Sequence, residues 1–397
     1  MEQIFDVAVI GGGASGMTAA ISAKRTAPQK MVVVLEALSR VGKKLLTTGN
    51  GQCNLSNSGV LDNRYHGSSD FALTTLKNAQ NRVNYLFDSL SVELFEDQRG
   101  RVYPYSRQAS AVLDALRFEM EKTGVEVICD CVVLDVSKKG SKFIIKTKTD
   151  TLYAKSVVLA TGGKAAANLA ETGYNIAKSF GHKITPLSPA IVQLKTDTQR
   201  IKALKGIKVD ATLSVKRQGK ILARYTDELL FTEYGISGPA VMQISRDAQK
   251  GDVAVIDLCP DIPYQTVCDI LFERRKKLEE RPVLEFLNGF LNKRVGQTLC
   301  KEFDRPSVKA LTDADIKKLA NSVKEFCVEI ISKKGFDSAQ VTAGGVETRD
   351  VSFNFESKLC KGLYLTGEIL NVDGDCGGFN LLFAWISGLT AGENAVK

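Results

Sequence analysis

Glycines at a fixed spacing are the first chemically informative residues of this 397-residue chain, because residues 11–16 read G-G-G-A-S-G. In a G-x-G-x-x-G turn, the first glycine permits the tight turn and the second lets backbone N–H groups approach a pyrophosphate. The third allows close packing of helix on strand. Glu36 lies about twenty residues on, where a carboxylate accepts hydrogen bonds from both hydroxyls of a ribose. The pattern predicts a dinucleotide site formed by Gly11, Gly13, Ala14, Ser15, Gly16 and Glu36.

The elements that must hold this turn are a strand, a helix and a second strand. Residues 5–10 are almost continuously apolar, which is typical of a parallel strand covered on both faces. Residues 17–27 predict a helix of small residues, and residues 31–35 predict a strand that Glu36 ends. A glycine motif alone also occurs in ordinary turns, but the strand, the helix and the acid together favour dinucleotide binding.

Three glycine-rich segments favour FAD as that dinucleotide, although each alone would pass for an ordinary turn. Residues 41–54 directly follow the acid and suit close approach of the backbone to a flat ring. A second loop ends a buried strand at residues 156–160, and a third opens the last helix. The N-terminus of that helix can stabilise the negative charge that develops on a flavin upon reduction. The predicted cofactor-binding residues here, with Val133 from a strand predicted over residues 125–133, are Lys43, Lys44, Thr48, Gly49, Asn50, Gly51, Ala160, Thr161, Gly162, Gly163, Gly367, Glu368, Asp373, Gly377, Gly378, Phe379 and Asn380.

The pattern of apolar and polar residues changes after residue 189. Residues 207–215 alternate apolar and polar side chains, which indicates a half-exposed antiparallel strand, and short strands are predicted at residues 229–232 and 253–257. Residues 263–334 follow a helical period. The last predicted helix, capped by Thr312 or Asp313, carries Ile316, Leu319, Val323, Phe326 and Ile330 on one face.

The fold class predicted from these patterns is α/β, a Rossmann-type FAD-binding domain interrupted by an insert. A buried strand at residues 362–367 returns the chain to the first domain. The predicted boundaries are 1–188 for the first part of the FAD domain, 189–258 for the first part of the insert, 259–334 for a helical subdomain, 335–346 for the return strand of the insert and 347–397 for the rest of the FAD domain.

Composition argues against several classes of protein. Nine cysteines without a C-x-x-C pair do not fit a disulfide framework or a structural zinc site, and only two histidines are present, so no metal is predicted. No apolar run reaches the roughly 18 residues that a spanning helix needs, so no membrane association is predicted. The first core strand begins too early for a signal peptide, which predicts a cytoplasmic protein. The oligomeric state stays open.

Residues 229–240 read L-L-F-T-E-Y-G-I-S-G-P-A, a block not found in generic Rossmann proteins. With G-K-K…G-N-G-Q-C-N at residues 42–54, T-A-G-G-V at 342–346 and G-E-I-L-N-V-D-G…G-G-F-N at 367–380, the chain resembles the BaiN/RdsA-type NAD(P)/FAD-dependent oxidoreductases almost from end to end. The resemblance implies bound FAD, a GR2-like FAD domain, and an insert made of a small antiparallel β-barrel and a helical subdomain. The resemblance also implies NAD(P)H as electron donor. The sequence carries no second dinucleotide fingerprint, so NAD(P)H would bind only transiently.

Two departures from the family pattern lie where substrate should meet the flavin. The family has an arginine in G-G-G-R-C-N where this chain has Gln52. The family stretch G-K-S-Y-P reads G-K-A-A-A-N at residues 163–168 and lacks the aromatic residue. These changes leave the prediction of FAD binding intact and weaken any transfer of a substrate from a relative.

The family resemblance implies three kinds of chemistry. Members reduce C=C bonds in steroid-like bile acid intermediates, reduce uridine to dihydrouridine in ribosomal RNA, or oxidise amines. The two reductions share hydride transfer from flavin N5 to an activated alkene, with a protein acid supplying the second proton. Cys53 is the first candidate for this acid, followed by Tyr65 and His66. A cysteine is also commonly just a small buried hydrophobic residue.

Three functions therefore compete. Chemistry on a small molecule is favoured and predicts an enclosed apolar pocket between the FAD domain and the insert. An RNA reductase predicts that the basic surplus of residues 189–336, 26 Lys and Arg against 20 Asp and Glu in a chain of net charge +8, lines the approach to the flavin. Solvated helix faces explain the same surplus. A flavin redox sensor predicts negligible turnover. The basic residues to test are Lys205, Lys208, Arg274, Arg275, Lys276, Lys277, Lys317 and Lys318.

Overall fold

The computed structural model describes residues 3–59, 64–77, 79–165 and 170–397. It divides into a first unit, Met1–Pro189 with Gln340–Lys397, and a second unit, Ala190–Ala339. The first unit contains both ends of the chain, and the second is inserted between its two segments. Together with the sheet and the barrel described below, this arrangement confirms the predicted fold class.

The secondary structure alternates strands and helices in the first unit and separates them more clearly in the second. The strands are β1 (Ile4–Ile10), β2 (Val32–Leu35), β3 (Ser56–Asn57), β4 (Tyr65–Gly67), β5 (Leu94–Glu96), β6 (Arg101–Pro104), β7 (Glu126–Ile128), β8 (Val133–Lys139), β9 (Lys142–Thr147), β10 (Thr151–Leu159), β11 (Ser188–Ala190), β12 (Leu194–Thr196), β13 (Lys208–Arg217), β14 (Lys220–Phe231), β15 (Gly235–Ser237), β16 (Val253–Asp257), β17 (Phe326–Lys333), β18 (Val341–Ala343), β19 (Leu363–Leu365) and β20 (Val372–Gly374). The α-helices are α1 (Ala14–Thr26), α2 (Ser69–Thr75), α3 (Ala79–Ser89), α4 (Ala109–Thr123), α5 (Ala170–Ser179), α6 (Pro239–Ile244), α7 (Tyr264–Lys277), α8 (Lys293–Cys300), α9 (Asp313–Lys324) and α10 (Phe379–Ala395).

A mostly parallel sheet forms the centre of the first unit. Its order is β7-β2-β1-β10-β9-β8, and β19 pairs with β10. Strands β7, β2, β1, β10 and β19 run parallel, whereas β9 and β8 are antiparallel additions. The parallel strands are rich in valine and isoleucine because helices or loops cover both faces. Since β19 comes from the C-terminal segment, both segments of the unit build one sheet.

Helices α1 and α10 pack closely, which fixes the last helix against the first. A Cβ atom on Gly388 would lie 2.3 Å from the carbonyl oxygen of Ser15, and one on Gly392 would lie 2.2 Å from that of Ala19. The Ser22 hydroxyl donates to the carbonyl oxygen of Leu389 at 2.8 Å. Glycine and alanine on the facing sides thus let the two helix backbones approach each other.

The second unit is a closed barrel with helices. Its strands follow the order β12-β15-β14-β13-β16-β17. Inside its core, the rings of Phe231 and Phe326 meet edge to face with centroids 6.3 Å apart. A capping box begins α9: the Thr312 hydroxyl accepts from the backbone N–H of Asp315 at 3.1 Å, and the Asp315 carboxylate accepts from that of Thr312 at 3.0 Å. Of the two predicted caps, Thr312 is therefore the one used.

The prediction of a helix that extends to Ile330 is wrong. Helix α9 ends at Lys324, and β17 begins at Phe326. Phe326, Val328 and Ile330 are buried while Glu329 is exposed, which is the alternation of a strand. A spacing of four residues fits one helical turn and also two strand periods, so the pattern was ambiguous. Pairing with β16 and β12 decides it, because β17 closes the barrel.

The strand predicted over residues 125–133 is also interrupted. Strand β7 ends at Ile128 and β8 begins at Val133, with Asp130 between them at a left-handed φ of 53°. Short polar side chains tolerate this conformation better than most residues do. The two strands lie at opposite ends of the sheet order, so the intervening residues connect its two edges.

No helix in the described residues is long and apolar enough to cross a membrane. Within the same ranges, the side chains of His, Cys, Asp and Glu form no group of three or more that could hold a metal ion.

Candidate active site

In the glycine turn between β1 and α1, two glycines pack too closely against the protein to carry a side chain, and a third faces open space. Gly11 has a φ of +102°, and a Cβ atom there would lie 2.4 Å from the carbonyl oxygen of Ala160. A Cβ on Gly16 would lie 1.9 Å from the carbonyl oxygen of Gly11. Around a Cβ built on Gly13, by contrast, the described residues place no atom within 4 Å. The turn therefore leaves its open space at the N-terminus of α1, where an anion is favoured.

Glu36 follows β2 directly and turns its carboxylate toward this turn. One oxygen accepts from the backbone N–H of Gly12 at 2.7 Å, and the other accepts from that of Leu38 at 2.8 Å. A carboxylate has about four acceptor positions, so two stay available for ribose hydroxyls. The backbone oxygen of Glu36 accepts from the N–H of Cys131, two residues before Val133. Glu36 is thus held to the glycine turn by its side chain and to the segment that leads into β8 by its backbone.

The loop after β2 has a run of left-handed residues. Gly49 and Asn50 have φ values of 56°, Gly51 has 84° and Cys53 has 57°. Asn50 is a residue type that tolerates this conformation, but for Cys53 it is strained, and strain of this kind is concentrated at functional sites. At the start of the loop, Lys44 Nζ lies 2.6 Å from Glu368 Oε2. Thr48 is fixed by donating its hydroxyl to the Leu45 carbonyl at 2.6 Å.

Two buried hydroxyl groups lie at the carboxyl ends of adjacent parallel strands. Thr161 follows β10 and Thr366 follows β19, and neither Oγ1 atom has a hydrogen-bond partner among the described residues. An unpaired buried hydroxyl costs about 1–3 kcal/mol, but both atoms are enclosed by protein atoms, so they line no open space for a ligand. The open Gly13 and the free acceptor positions of Glu36 are the features that match a dinucleotide.

The loop Thr161–Gly163 also packs against a charged group that holds the site together. A Cβ on Gly163 would lie 2.6 Å from Thr342 Oγ1 and 2.7 Å from Glu368 Oε1. The same Glu368 oxygen accepts from the backbone N–H of Thr342 at 2.8 Å. Thr342 was missed by the sequence reasoning as a site residue, although it belongs to the T-A-G-G-V block. Residues 166–169, which include part of the departure from G-K-S-Y-P, lie outside the described ranges.

The loop before α10 presents backbone N–H groups at the N-terminus of a 17-residue helix. The Asn380 side chain bonds both the N–H and the carbonyl of Gly374, each at 2.8 Å. The Asn57 amide donates to the carbonyl of Gly377 at 2.8 Å. Gly378 is the N-cap at a φ of 103°, without a side-chain cap from the described residues. This terminus can therefore stabilise a negative charge.

Two of the three predicted acids are buried. The Tyr65 hydroxyl donates to the carbonyl of Phe379 at 2.9 Å, and burial raises its pKa well above the usual value. The Cys53 side chain is fully buried, and burial raises the pKa of its thiol to about 12. Both groups hold their protons at neutral pH and lie within the packed core. Strand β4 brings Tyr65 to the loop before α10 because it pairs with β20.

His66 is the accessible member of the three. Its Nε2 lies 2.8 Å from Asp375 Oδ1, and its side chain is 32% exposed. Arg64 Nη1 lies 3.3 Å from the other oxygen of Asp375. Sequence reasoning missed Asp375 and Arg64, although Asp375 lies inside the D-G-D-C-G-G-F-N segment. The pairing of His66 with Asp373 across β4 and β20 assembles this cluster.

Most of the basic residues singled out in the second unit are engaged within it. Arg274 donates to the carbonyls of Phe286 and Asn288, with contacts as short as 2.7 Å, and Arg275 donates to Leu311 and Asp313. Ion pairs link Lys205 to Glu233, Lys208 to Glu228 and Lys276 to Glu273, and the ammonium of Lys318 lies over the Phe303 ring. Lys277 and Lys317 have no such partner in the described residues.

A parallel sheet, a glycine turn on a helix N-terminus and an acid after the second strand define a Rossmann-type dinucleotide-binding domain. The chain belongs to the HI0933-like protein family, whose Rossmann domain model matches residues 5–394. This confirms the family resemblance found in the motifs.

Two relatives match the chain over nearly its whole length. The 3-dehydro-bile acid delta(4,6)-reductase of Clostridium scindens is 38% identical over 408 residues, which cover 98% of this chain and 99% of the relative. The ribosomal RNA dihydrouridine synthase of Escherichia coli is 28% identical over 406 residues, which cover 100% of this chain and 99% of that protein.

Solved structures share the fold at low sequence identity. A 3-ketosteroid-Δ4-(5α)-dehydrogenase from Rhodococcus jostii has a TM-score of 0.54 at 16% identity, over 100% of this chain and 98% of its own. A 3-ketosteroid Δ1-dehydrogenase from Sterolibacterium denitrificans has a TM-score of 0.53 at 13% identity, over 99% of both chains. At these identities the likeness extends to the fold.

Proposed function

We propose that this protein is a FAD-dependent reductase of an activated C=C bond in a small molecule, with NAD(P)H as electron donor. The observation that carries the proposal is the end-to-end similarity, at 38% identity, to a protein named a bile acid reductase. The same relationship at 28% identity connects the chain to the RNA-modifying relative. An enone is the substrate class that follows, because a carbonyl conjugated to the alkene activates it for hydride addition.

The residues at the strand ends fit FAD in defined roles. Gly13 and the N-terminus of α1 would face the pyrophosphate, and Glu36 would accept from the ribose. The Gly377–Gly378 turn would stabilise negative charge on the flavin ring. When bound and reduced, FAD supplies the hydride for the reaction.

His66 is assigned the proton that completes the reduction. We assign the Nε2 proton to the hydrogen bond with Asp375, which leaves Nδ1 as the ring nitrogen that takes up a proton and delivers it to the substrate. Arg64 lies against the second oxygen of Asp375 and helps to hold this carboxylate beside His66. Tyr65 and Cys53 are less suited because their polar atoms are enclosed in the core. Tyr65 instead holds the first turn of α10 to β4.

Anaerobic stopped-flow kinetics test this function. The oxidised flavoprotein is mixed with NADPH or NADH, and the reduced protein is then mixed with a 3-oxo-4-ene steroid. Bleaching of the flavin, followed by reoxidation and one equivalent of saturated ketone, is the expected result. Reduced flavin that persists with every enone offered would overturn the proposal, and failure of both nucleotides to bleach the flavin would overturn the assigned donor.

Ribosomal RNA is the second candidate substrate, favoured by the two dihydrouridine synthases among the relatives. The structure offers less for it, because most of the selected basic residues are engaged within their own unit. Reoxidation of the reduced protein by deproteinised ribosomal RNA, with dihydrouridine in the digest, is the result that this candidate predicts. The same mixing experiment, with RNA in place of the steroid, separates the two.

A further inference from the structure

A buried polar segment, residues 54–57, packs against the turn that opens α10. Ser56 is fully buried, and Asn54 and Asn57 are only 9% and 6% exposed. A Cβ atom on Gly378 would lie 2.2 Å from the carbonyl oxygen of Ser56, so the turn touches the backbone of this segment. Buried amide side chains need hydrogen-bond partners, and the turn supplies one for each of the two asparagines.

Asn57 is fixed at both ends of its amide. Its Nδ2 donates to the carbonyl of Gly377 at 2.8 Å, and its Oδ1 accepts from the backbone N–H of Gly59 at 2.9 Å. The backbone of Asn57 lies opposite Arg101 in the pairing of β3 with β6. The side chain therefore connects the small sheet to the carbonyl of the turn.

Asn54 holds the N–H group next to that carbonyl. We assign its amide the orientation that satisfies both ends: the oxygen accepts from the N–H of Gly378 at 3.3 Å, and the nitrogen donates to the carbonyl of Ser56 at 3.0 Å. The carbonyl of Leu55 accepts from Trp385 Nε1 at 3.0 Å, and Trp385 lies in α10. The segment thus holds the helix at its opening turn and again farther along.

The two asparagines hold a single peptide unit. The carbonyl of Gly377 and the N–H of Gly378 lie in one plane and point in opposite directions, as in any trans peptide. Gly377 has a φ of 133° and Gly378 a φ of 103°, and no side chain on either residue restricts this unit. The hydrogen bonds at its two ends therefore fix its orientation, and with it the direction in which α10 begins.

We propose that Asn57 and Asn54 are positioning residues that set the reduction potential of the bound flavin. The inference rests on the proposed function, which places the Gly377–Gly378 turn at the flavin ring. Reduction adds two electrons and one proton to the oxidised ring and so leaves one negative charge on it. The N–H groups at the start of α10 stabilise that charge only if they are held in place, because the interaction depends on distance and direction.

The test measures the reduction potential of the FAD holoprotein during slow anaerobic reduction by xanthine and xanthine oxidase, against a reference dye. The wild type is compared with Asn57→Ala, Asn54→Ala, the double variant and Asn394→Ala. Asn394 is the matched control, because its Nδ2 donates to the carbonyl of Thr390 at 2.8 Å near the other end of α10. FAD content and thermal unfolding midpoints show that each variant is folded.

The expected result is a lower potential in the variants of residues 54 and 57. Asn57→Ala weakens the binding of reduced FAD about tenfold relative to oxidised FAD, which corresponds to a potential lower by about 30 mV. Asn54→Ala shifts the potential in the same direction by less, because its bond to the turn is longer. The double variant shifts it by less than the sum, since the loss of either amide frees the same peptide unit. Asn394→Ala leaves the potential unchanged.

An unchanged potential in Asn57→Ala, or an equal shift in Asn394→Ala, would overturn the inference. If Asn57→Ala does not fold, Asn54→Ala decides by the same criterion. A potential that shifts as expected in a protein that reduces no enone would count against the reductase and leave the positioning role in place. A chain that binds no FAD would overturn both.

Discussion

A Cβ atom on Gly16 would lie 1.9 Å from the carbonyl oxygen of Gly11, so helix α1 can leave β1 at this angle only without a side chain there. Gly13, three residues earlier in the same motif, meets no described atom within 4 Å of its own Cβ position. One glycine is thus required by the packing of the protein itself, and the other leaves space that a ligand would fill.

This contrast predicts opposite phenotypes for Gly16→Ala and Gly13→Ala. In the FAD-free protein, Gly16→Ala is expected to lower the free energy of unfolding by about 3 kcal/mol, because backbone atoms must shift. Gly13→Ala is expected to leave it within about 0.5 kcal/mol, as for a substitution without packing conflict. On adding FAD, Gly13→Ala weakens binding at least tenfold. Urea unfolding and flavin fluorescence titration measure the two effects, and normal FAD affinity in Gly13→Ala would contradict the assignment.

The motifs identified the glycine turn, the acid and the strand-end loops because their function depends on local backbone geometry. The sequence did not show that β17 is a strand rather than the end of a helix. The spacing of Phe326, Val328 and Ile330 fits both a helical and a strand period, and only pairing across the barrel decides between them. Contacts between segments far apart in the sequence could not be predicted either. Lys44 and Glu368 are 324 residues apart, and His66 and Asp375 are 309 residues apart.

The ion pair between Lys44 and Glu368 predicts that each of these two side chains contributes to stability. The two atoms are 2.6 Å apart, and the Glu368 side chain is only 17% exposed. Lys44→Met leaves that carboxylate with the Thr342 N–H and no cation, and is expected to cost about 1–2 kcal/mol of stability. Lys43→Met is the matched control, because Lys43 has no ion pair within the described part of the chain.

A double-mutant cycle isolates this pair. Lys44→Met with Glu368→Gln is expected to lose less stability than the sum of the two single variants, since the second change removes the unpaired charge. Chemical unfolding of the four proteins gives the coupling energy, and strict additivity would show that the contact contributes nothing.

The buried thiol of Cys53 predicts a pH dependence of stability. Its pKa in the folded protein is raised to about 12 by burial, against about 8.5 in an unfolded chain. Above pH 8.5 the unfolded state loses this proton while the folded state keeps it, so stability falls as the pH rises toward 12, by at most about 1.4 kcal/mol per pH unit. Cys53→Ala and Cys53→Ser remove this contribution. Urea unfolding of the FAD-free proteins at pH 7.5, 9 and 10.5 should therefore give a flatter alkaline decline in both variants, and an identical slope would exclude a titrating Cys53.

The assignment of the proton to His66 predicts a selective kinetic defect. His66→Gln should leave flavin reduction by the nucleotide within about twofold, and slow reoxidation by the enone by about 10²–10⁴-fold. Asp375→Asn should slow that step less than His66→Gln does, because Asp375 orients the ring of His66. His182→Gln is the control, since this histidine bonds Ser357 in a buried position away from the loop. A wild-type rate of reoxidation in His66→Gln would show that another group supplies the proton.

The basic residues of the second unit separate the two candidate substrates. Arg274→Ala removes hydrogen bonds to the carbonyls of Phe286 and Asn288, and is expected to destabilise the protein by about 2 kcal/mol whatever the substrate. Lys277→Glu with Lys317→Glu changes two side chains that form no ion pair or hydrogen bond in the described residues, and is expected to change stability by less than about 1 kcal/mol. For a small-molecule reductase, this double variant reduces the enone with unchanged KM and unchanged salt dependence.

For an enzyme that acts on ribosomal RNA, the affinity of the double variant for RNA falls about tenfold. The slope of log K against log salt also decreases in magnitude by about one for each lysine replaced. The salt slope separates lost phosphate contacts from partial unfolding, which the affinity alone does not. Partial unfolding weakens binding without changing the number of phosphates that each folded molecule contacts.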